Sequence, residues 1–160
     1  MTIFTIGYEG MNIDNFLTML QRQGVSTVVD IRQLPLSRKP GFSKKALQSA
    51  LSNSGLAYVH LAALGCPKPV RDKYRADKSW KNYTEGFLNH LETQQDAIEE
   101  LAALANTEKC ALLCFEADHN FCHRSMVAHA VRDCSGTEVR HITKIGVKRE
   151  NLGDHQLVPA

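Results

Sequence analysis

Short apolar runs alternate along this chain with segments that have helical periodicity, and this alternation constrains the fold more than any other feature. The clearest pair is an apolar run at residues 110–115 followed by helical spacing at 122–134. Strands that alternate with helices form βαβ units, and such units build mainly parallel sheets. The sequence therefore predicts an α/β protein, a single domain whose mainly parallel sheet of about five strands is flanked by helices.

Each predicted element rests on a local pattern. Strands are expected at residues 2–8, 26–32, 56–61, 110–115 and 139–143, and helices between 12 and 24, between 43 and 55, and over 80–91, 96–104 and 122–134. The last helix is expected to present His129 to solvent. The stretch 62–79 is predicted to be a long, irregular loop, because it contains Gly65, Pro67 and Pro69. The domain spans 1–160, with its core at about 2–143 and a tail at 144–160 that carries weak structural signals.

Composition narrows the class of protein. Of the 160 residues, 43% are hydrophobic and 22% are charged, which is typical of soluble globular proteins. The chain has no apolar run of 18 residues, and its first ten residues lack the regions of a signal peptide. We therefore expect a cytoplasmic protein without a membrane partner. The five cysteines are an odd number, which argues against a disulfide framework and favours reduced thiols.

Charge is unevenly distributed, since residues 31–71 contain seven basic side chains and no Asp or Glu. Such a stretch is typical of a surface that binds an anionic partner, although a solvated basic face has the same composition. A small anionic ligand is the favoured partner. Nucleic acid is the alternative, with Tyr58, Tyr74, Trp80 and Tyr83 available for base stacking. The chain carries no named nucleic-acid motif and no nucleotide-cofactor motif.

Reactive side chains concentrate at the strand-to-helix junction of residues 114–125. Ligands of parallel sheets bind at the carboxyl ends of the strands, so residues that follow different strands are expected to converge there. A helix N-terminus and a neighbouring cation both favour the thiolate of Cys122, while the carboxyls are acid/base candidates. The predicted catalytic residues are Cys122, Cys114, Asp30 and Glu116.

Arginines supply the predicted anion clamp, because a guanidinium binds phosphate or carboxylate through two parallel hydrogen bonds. For Arg124, an ion pair with Asp30 that ties two loops together is the alternative role. The predicted substrate-binding residues are Arg32, Arg38, Arg124, Tyr8, His60 and Ser125.

A metal site is a further alternative at the same junction. The candidate ligands are Cys114, Cys122 and His123, and the candidate ions are zinc and iron. The sequence lacks the Cys-x-x-Cys pairing of familiar zinc sites. Adjacent residues on a helix also point in different directions, which argues against joint ligation by Cys122 and His123.

Several segments, taken in order, are similar to one known family. They are Thr5-Ile6-Gly7-Tyr8, Val29-Asp30-Ile31-Arg32, Pro35 with Ser37 and Arg38, Tyr58-Val59-His60-Leu61, Leu64-Gly65, and Cys114-Phe115-Glu116 with Cys122-His123-Arg124-Ser125. The chain resembles the domain of unknown function 488 family from about Thr2 to Thr143. This resemblance implies an α/β domain with a site at these motifs. A looser similarity in layout connects the chain to rhodanese and cysteine-phosphatase-like domains, from which it departs by having no glycine between Cys114 and Cys122.

The main hypothesis is an enzyme, a thiol-dependent hydrolase or transferase, that acts on an anionic, phosphate-bearing substrate at the C-terminal edge of the sheet. One alternative is a nucleic-acid-associated binding module that uses the basic surface of residues 32–71. The other is a metal- or redox-sensing domain that uses Cys114 and Cys122.

Overall fold

The computed structural model describes residues 1–150, in which one sheet contains six strands. These are β1 (Thr2–Gly7), β2 (Thr27–Asp30), β3 (Ala57–His60), β4 (Cys110–Cys114), β5 (Glu138–Thr143) and β6 (Gly146–Arg149). Their order across the sheet is β3-β2-β4-β1-β5-β6, and every neighbouring pair is parallel except β5 with β6. The predicted α/β class and the mainly parallel sheet are therefore confirmed, with one strand more than expected.

Helices cover both faces of this sheet. They are α1 (Ile13–Arg22), α2 (Lys44–Asn53), α3 (Lys68–Asp77), α4 (Trp80–Glu92), α5 (Gln95–Thr107) and α6 (His123–Ser135). Within residues 1–150, none of them has both the length and the apolar character that a membrane crossing requires.

Side-chain alternation along the strands produces two apolar layers. Val28 of β2 belongs to a cluster with Phe16 of α1 and Leu51 of α2. Its neighbour Val29 belongs to a second cluster, with Phe87 of α4 and residues of α5 and α6. Successive residues of a strand point to opposite faces, so the apolar runs of this sequence are buried on both sides.

Part of the stretch 62–79, which was predicted to be a loop because of its prolines, is helical. The predicted irregular loop is wrong for Lys68–Asp77, which form α3. Pro67 is the N-cap of this helix and Pro69 lies in its first turn. A proline in the first turn costs no helical hydrogen bond, because the N–H that it lacks would have no partner there.

The predicted weak tail also contains structure. β6 falls within it and forms a tight hairpin with β5, while residues 151–160 lie outside the described residues. This hairpin brings Glu150 to α6, where its carboxylate lies 2.6 Å from Nε2 of His129. The expectation that His129 faces solvent is therefore wrong, and its side chain is buried.

Chain topology brings three strand ends together. β4 lies between β1 and β2, and the register places Gly7 of β1 beside Cys114 of β4. Asp30, the last residue of β2, pairs with Leu113. The carboxyl ends of β1, β2 and β4 therefore meet at one edge of the sheet, which is where open α/β sheets bind ligands.

Candidate functional site

A pocket of about 430 Å³ opens at this edge, beyond β1, β2 and β4. Its volume is within the range of about 300–1,000 Å³ that is typical of small-molecule sites. Five of the residues predicted to be functional contribute to its lining, together with others from the loop after β2 and from α3 and α4. The five are Tyr8, Arg32, Cys114, Glu116 and His123.

Two cysteines are joined at the base of the pocket. Cys114 ends β4 and lines the pocket, whereas Cys122 is the N-cap of α6, and their sulfur atoms are joined in a disulfide. The expectation that all five cysteines are reduced thiols is therefore wrong for these two. The odd number of cysteines argues against a framework of several bridges, but it does not bear on a single local pair.

His123 lies directly beside this pair. Its Nε2–H donates to the carbonyl oxygen of Ile31 at 2.9 Å, which leaves Nδ1 without a proton, 3.9 Å from Sγ of Cys122. Complete burial lowers the pKa of His123 to about 4, so the ring is neutral near pH 7. Cys122 and His123 do converge, because Cys122 precedes the helix in an extended conformation.

The three side chains together have the composition of a metal site. One ligand atom from each of Cys114, Cys122 and His123 lies within 4.8 Å of the other two. The hydrogen bond from Nε2 of His123 to a backbone carbonyl is the outer contact that commonly orients a histidine ligand. The reduced pair could therefore hold an ion such as zinc.

Arg124 lies beneath the pocket and has the largest of the fully buried side chains within residues 1–150. Its Nη1 donates to Sγ of Cys114 at 3.2 Å and to the carbonyl oxygen of Glu116, and its Nη2 donates to the carbonyl oxygen of Ala117 at 3.1 Å. Its Nε donates to Oγ1 of Thr5 at 3.1 Å. Burial lowers its pKa to about 10, so it remains a cation near pH 7. This guanidinium organises the loop after β4 and faces the sulfur of Cys114. Among residues 1–150 it forms no ion pair, so the predicted alternative of an ion pair with Asp30 is wrong.

Gly7 makes this arrangement sterically feasible. A Cβ atom at this position would lie 2.8 Å from Nη1 of Arg124 and would overlap the carbonyl oxygen of Glu116. The backbone after β4 and the Arg124 side chain therefore cross β1 where there is no side chain. The Gly in the first motif of the sequence is required by this close approach.

Asp30 and Arg32 form a buried ion pair with two hydrogen bonds. Nε and Nη2 of Arg32 donate to the two carboxylate oxygens of Asp30 at 2.9 and 2.8 Å, and the hydroxyl of Tyr58 donates to Asp30 at 2.6 Å. Asp30 is fully buried, whereas Arg32 lines the pocket. The structure therefore places Asp30 behind Arg32, as the group that orients it.

Glu116 is the carboxyl at the pocket. Desolvation by the surrounding protein raises its pKa, although the nearby Arg124 cation partly opposes this shift. A carboxyl of this kind holds its proton more readily than an ordinary glutamate, which suits a group that donates or accepts a proton during a reaction.

The other predicted binding residues lie outside the pocket lining. Nε2–H of His60 donates to the carbonyl oxygen of Arg32 at 2.8 Å, and the hydroxyl of Ser125 donates to the carbonyl oxygen of His119 at 2.5 Å. Arg38 is exposed on the loop after β2. His60 and Ser125 thus fix the backbone around the site, and Arg124 acts from below it.

One wall of the pocket comes from α3, which lies in the stretch predicted to be a loop, and from α4, which was predicted as a helix. Trp80 and Tyr83 stack with ring centroids 4.7 Å apart, and Tyr74 and Phe121 contact the Trp80 ring edge-on or tilted. Arg71 and Arg75 lie on the same side of the pocket. The basic and aromatic composition of residues 68–83 was the available signal, but the contact with Phe121 spans about forty residues of sequence and has no local pattern.

A series of hydrogen bonds connects Arg124 through Thr5 of β1 to His141 of β5. Oγ1 of Thr5, which accepts from Arg124, donates to Nδ1 of His141 at 2.6 Å, and Nε2–H of His141 donates to Glu150 at 2.7 Å. The His119 ring stacks on His141 with centroids 3.7 Å apart. Burial lowers the pKa of His119 to about 4 and also lowers that of His141.

Comparison with known proteins assigns the chain to a family. The family model described as "Domain of unknown function DUF488" matches residues 12–131, which is more than half of the chain. The chain belongs to this family. The matched region contains α1 through most of α6, including Cys114 and Cys122. It also contains the aromatic wall of the pocket, formed by Tyr74, Trp80, Tyr83 and Phe121. No curated protein and no solved structure matches the chain, so the similarity in layout to rhodanese stays a prediction.

Proposed function

We propose that this DUF488 protein is a thiol-dependent enzyme, a hydrolase or transferase, in which Cys114 attacks an anionic substrate held in the pocket. The observation that carries the proposal is the position of Cys114, a residue that lines the pocket and whose sulfur accepts a hydrogen bond from Arg124. A thiolate is the reactive form of cysteine, and a neighbouring cation stabilises it. Cys122 is its partner in the disulfide, so the reduced protein is the active form.

The pocket chemistry supports an anionic substrate. Three guanidinium groups, those of Arg32, Arg71 and Arg75, line the pocket, against the single carboxyl of Glu116. Within residues 1–150, hydrogen bonds use four of the five N–H donors of Arg32, so one donor remains for a ligand.

The proposed reaction has two steps, formation of a covalent intermediate on Cys114 and its breakdown. The Cys114 sulfur forms a bond to the electrophilic centre of the substrate, and the bond from that centre to the leaving group breaks. The leaving group departs with its electron pair and takes a proton from Glu116 or from water. Water, or an acceptor alcohol or amine in a transferase, then attacks the same centre, loses its proton to Glu116 or to solvent, and displaces the sulfur as the thiolate. The cytoplasm, where the glutathione and thioredoxin systems keep such thiols reduced, is the compartment that fits this chemistry.

Alkylation of the reduced protein by iodoacetamide, mapped by mass spectrometry, tests the proposal. The exposed thiol of Cys134 is an internal reference. For each thiol, the rate at pH 6 is divided by the rate at pH 9, which removes differences in accessibility. Each unit of lowered pKa raises this ratio about tenfold, because the thiolate fraction at pH 6 rises about tenfold while the intrinsic nucleophilicity of the thiolate is the same at both pH values and cancels. We expect a ratio for Cys114 at least about threefold above that of Cys134, and equal ratios would contradict the proposal.

A metal centre is the second candidate function, and the convergence of Cys114, Cys122 and His123 favours it. Two thiolates and one imidazole would hold zinc, which would supply Lewis-acid chemistry at the pocket. Metal content is measured on reduced wild-type protein and on Cys122→Ser, with Cys134→Ser as the control. About one zinc or iron per chain, lost only in Cys122→Ser, would replace the thiol mechanism; no metal in any of the three leaves the thiol enzyme.

A further inference from the structure

The pocket walls formed by α3, α4, the turn after β4 and the loop after β2 carry exposed apolar side chains, which the thiol chemistry does not explain. Phe115 and Phe121 are 45% and 49% exposed, and Leu34 and Leu36 are still more exposed. These four are among the seven large hydrophobic residues that are exposed within residues 1–150, and all four line the pocket. Exposed apolar side chains that cluster around one cavity indicate a ligand with an apolar surface.

The same wall carries hydrogen-bond donors without partners. Nε of Arg71 and Nε1 of Trp80 are buried, and neither has a hydrogen-bond acceptor among the described residues. Both residues line the pocket. A buried donor without an acceptor is costly, so the described residues leave part of the polar capacity of this wall unused.

Two arginines, Arg71 and Arg75, add positive charge to the same side of the pocket. Nη2 of Arg71 is held by the side-chain oxygen of Gln33 at 2.7 Å, which fixes the guanidinium at the pocket. Arg75 is exposed and its ion pair with Asp72, at 3.8 Å, is of the weak surface kind, so it is free to turn toward a ligand. The ligand must therefore combine a flat apolar surface, acceptor atoms and negative charge.

We propose that the pocket binds a nucleobase together with its phosphate, with the base against the aromatic wall and the phosphate at Arg71 and Arg75. This proposal rests on the proposed function and names its substrate class. A base has an apolar face that stacks on aromatic side chains whatever its identity, and its carbonyl and ring nitrogens are acceptors. Guanidinium groups bind phosphate with matched geometry. The base and phosphate belong either to a free nucleotide or to one residue of a single strand.

The chain provides its own probe for this ligand, because Trp80 is its single tryptophan and lies in the wall. Trp80 fluorescence is measured on the reduced protein during titration with a purine mononucleotide, a pyrimidine mononucleotide, a nucleoside, inorganic phosphate and a single-stranded five-residue oligonucleotide. We expect a saturable change with mononucleotides or with the oligonucleotide. The nucleoside lacks the phosphate and inorganic phosphate lacks the base, so each should bind at least about tenfold more weakly than the mononucleotide.

Matched variants locate the site. Arg71→Gln and Phe121→Leu should each weaken binding about tenfold, whereas Arg22→Gln on α1 and Leu88→Ala on the exposed side of α4 should leave it unchanged. Lys44→Glu with Lys45→Glu distinguishes the two sources of the ligand. These lysines are exposed at the start of α2, so their replacement should weaken the oligonucleotide and spare the mononucleotide.

The outcomes separate this inference from the proposed function. Cys114→Ser should retain nucleotide binding, because its sulfur is not part of the aromatic wall. Binding without a reactive thiol would sustain the inference and reject the enzyme. A reactive thiol with no fluorescence change at about 1 mM ligand would overturn the inference and leave the enzyme standing. So would a nucleotide that binds no more tightly than phosphate alone and equally well to wild type and Phe121→Leu.

Discussion

Nη1 of Arg124 donates a hydrogen bond to Sγ of Cys114 across 3.2 Å, although the guanidinium is shielded completely from solvent. A cation that is buried at this distance from a thiol stabilises the thiolate, because little water screens the charge. The contact is fixed from behind by Thr5 and by two carbonyl groups of the loop after β4. Arg124 is therefore a positioning residue that acts through Cys114.

Replacement of Arg124 should raise the pKa of the Cys114 thiol. We expect Arg124→Met to shift the pH profile of Cys114 alkylation upward by about one unit or more, and Arg124→Lys, which keeps the charge, to give a smaller shift. The measurement is the alkylation rate of Cys114 between pH 5 and 10, with Arg22→Met on the surface as control. A profile that is unchanged in Arg124→Lys and Arg124→Met would show that the cation does not tune this thiol.

Gly7→Ala should destabilise the fold strongly, because the new Cβ would overlap backbone after β4 rather than a flexible side chain. We expect a loss of at least about 3 kcal/mol in the free energy of unfolding, at the upper end of overpacking effects. Gly86→Ala is the matched control. Its Cβ would meet only the Val70 side chain, at 3.2 Å or more, and alanine favours a helix. Urea unfolding of the two variants compares them, and equal losses would contradict this account of Gly7.

Asp30→Asn should cost more than the loss of one hydrogen bond, because Asp30 neutralises the partly buried Arg32. Breaking one side of a buried ion pair typically costs about 3–5 kcal/mol. Tyr58→Phe removes only the hydroxyl that donates to Asp30, and should cost about 2 kcal/mol. Chemical denaturation measures both. If the cost of Asp30→Asn did not exceed that of Tyr58→Phe, the pair would not be a main anchor of Arg32.

The stability of the protein should fall as the pH drops from about 6.5 toward 4. Burial holds the pKa of His123 at about 4 in the folded state, while an unfolded histidine titrates near 6.5, so the unfolded state binds more protons in this window. The contribution of His123 is present in full above pH 6.5 and is lost as the pH falls toward 4. His119 and His141 act in the same direction.

His123→Asn separates this contribution from the others, since an amide does not titrate in this range. Between pH 7 and 4.5, the variant should lose about 2–3 kcal/mol less stability than wild type. Unfolding free energies at the two pH values provide the test. Parallel losses in the two proteins would mean that His123 is not held neutral in the fold.

Local patterns in the sequence were sufficient to predict most strands of the sheet. Val28, Val29 and Ile31 identify β2 because β-branched residues in a short run favour a strand buried on both faces. The meeting of Tyr8, Arg32 and Glu116, which follow β1, β2 and β4, at one edge follows from the parallel arrangement alone. Residues that follow different parallel strands must end on the same side.

The remainder depends on contacts between distant segments. The contact between Trp80 and Phe121 forms only when α4 packs against the turn after β4, and no spacing in the sequence encodes it. The deep burial of Arg124 is equally non-local, because its partners are backbone carbonyls whose positions are set by the crossing over Gly7. A guanidinium in a motif suggests a ligand contact, whereas here the protein itself supplies most of its acceptors.

The two sides of the pocket come from separate stretches of chain. The sulfur pair and Arg124 belong to the junction of β4 with α6, whereas Arg71 and Trp80 belong to α3 and α4, which add no strand to the sheet. Under the proposed function, substitutions of Arg71 and Trp80 should change which ligand binds, whereas substitutions at the junction of β4 with α6 should change the reaction. Ligand choice and reaction can therefore be altered separately in this protein.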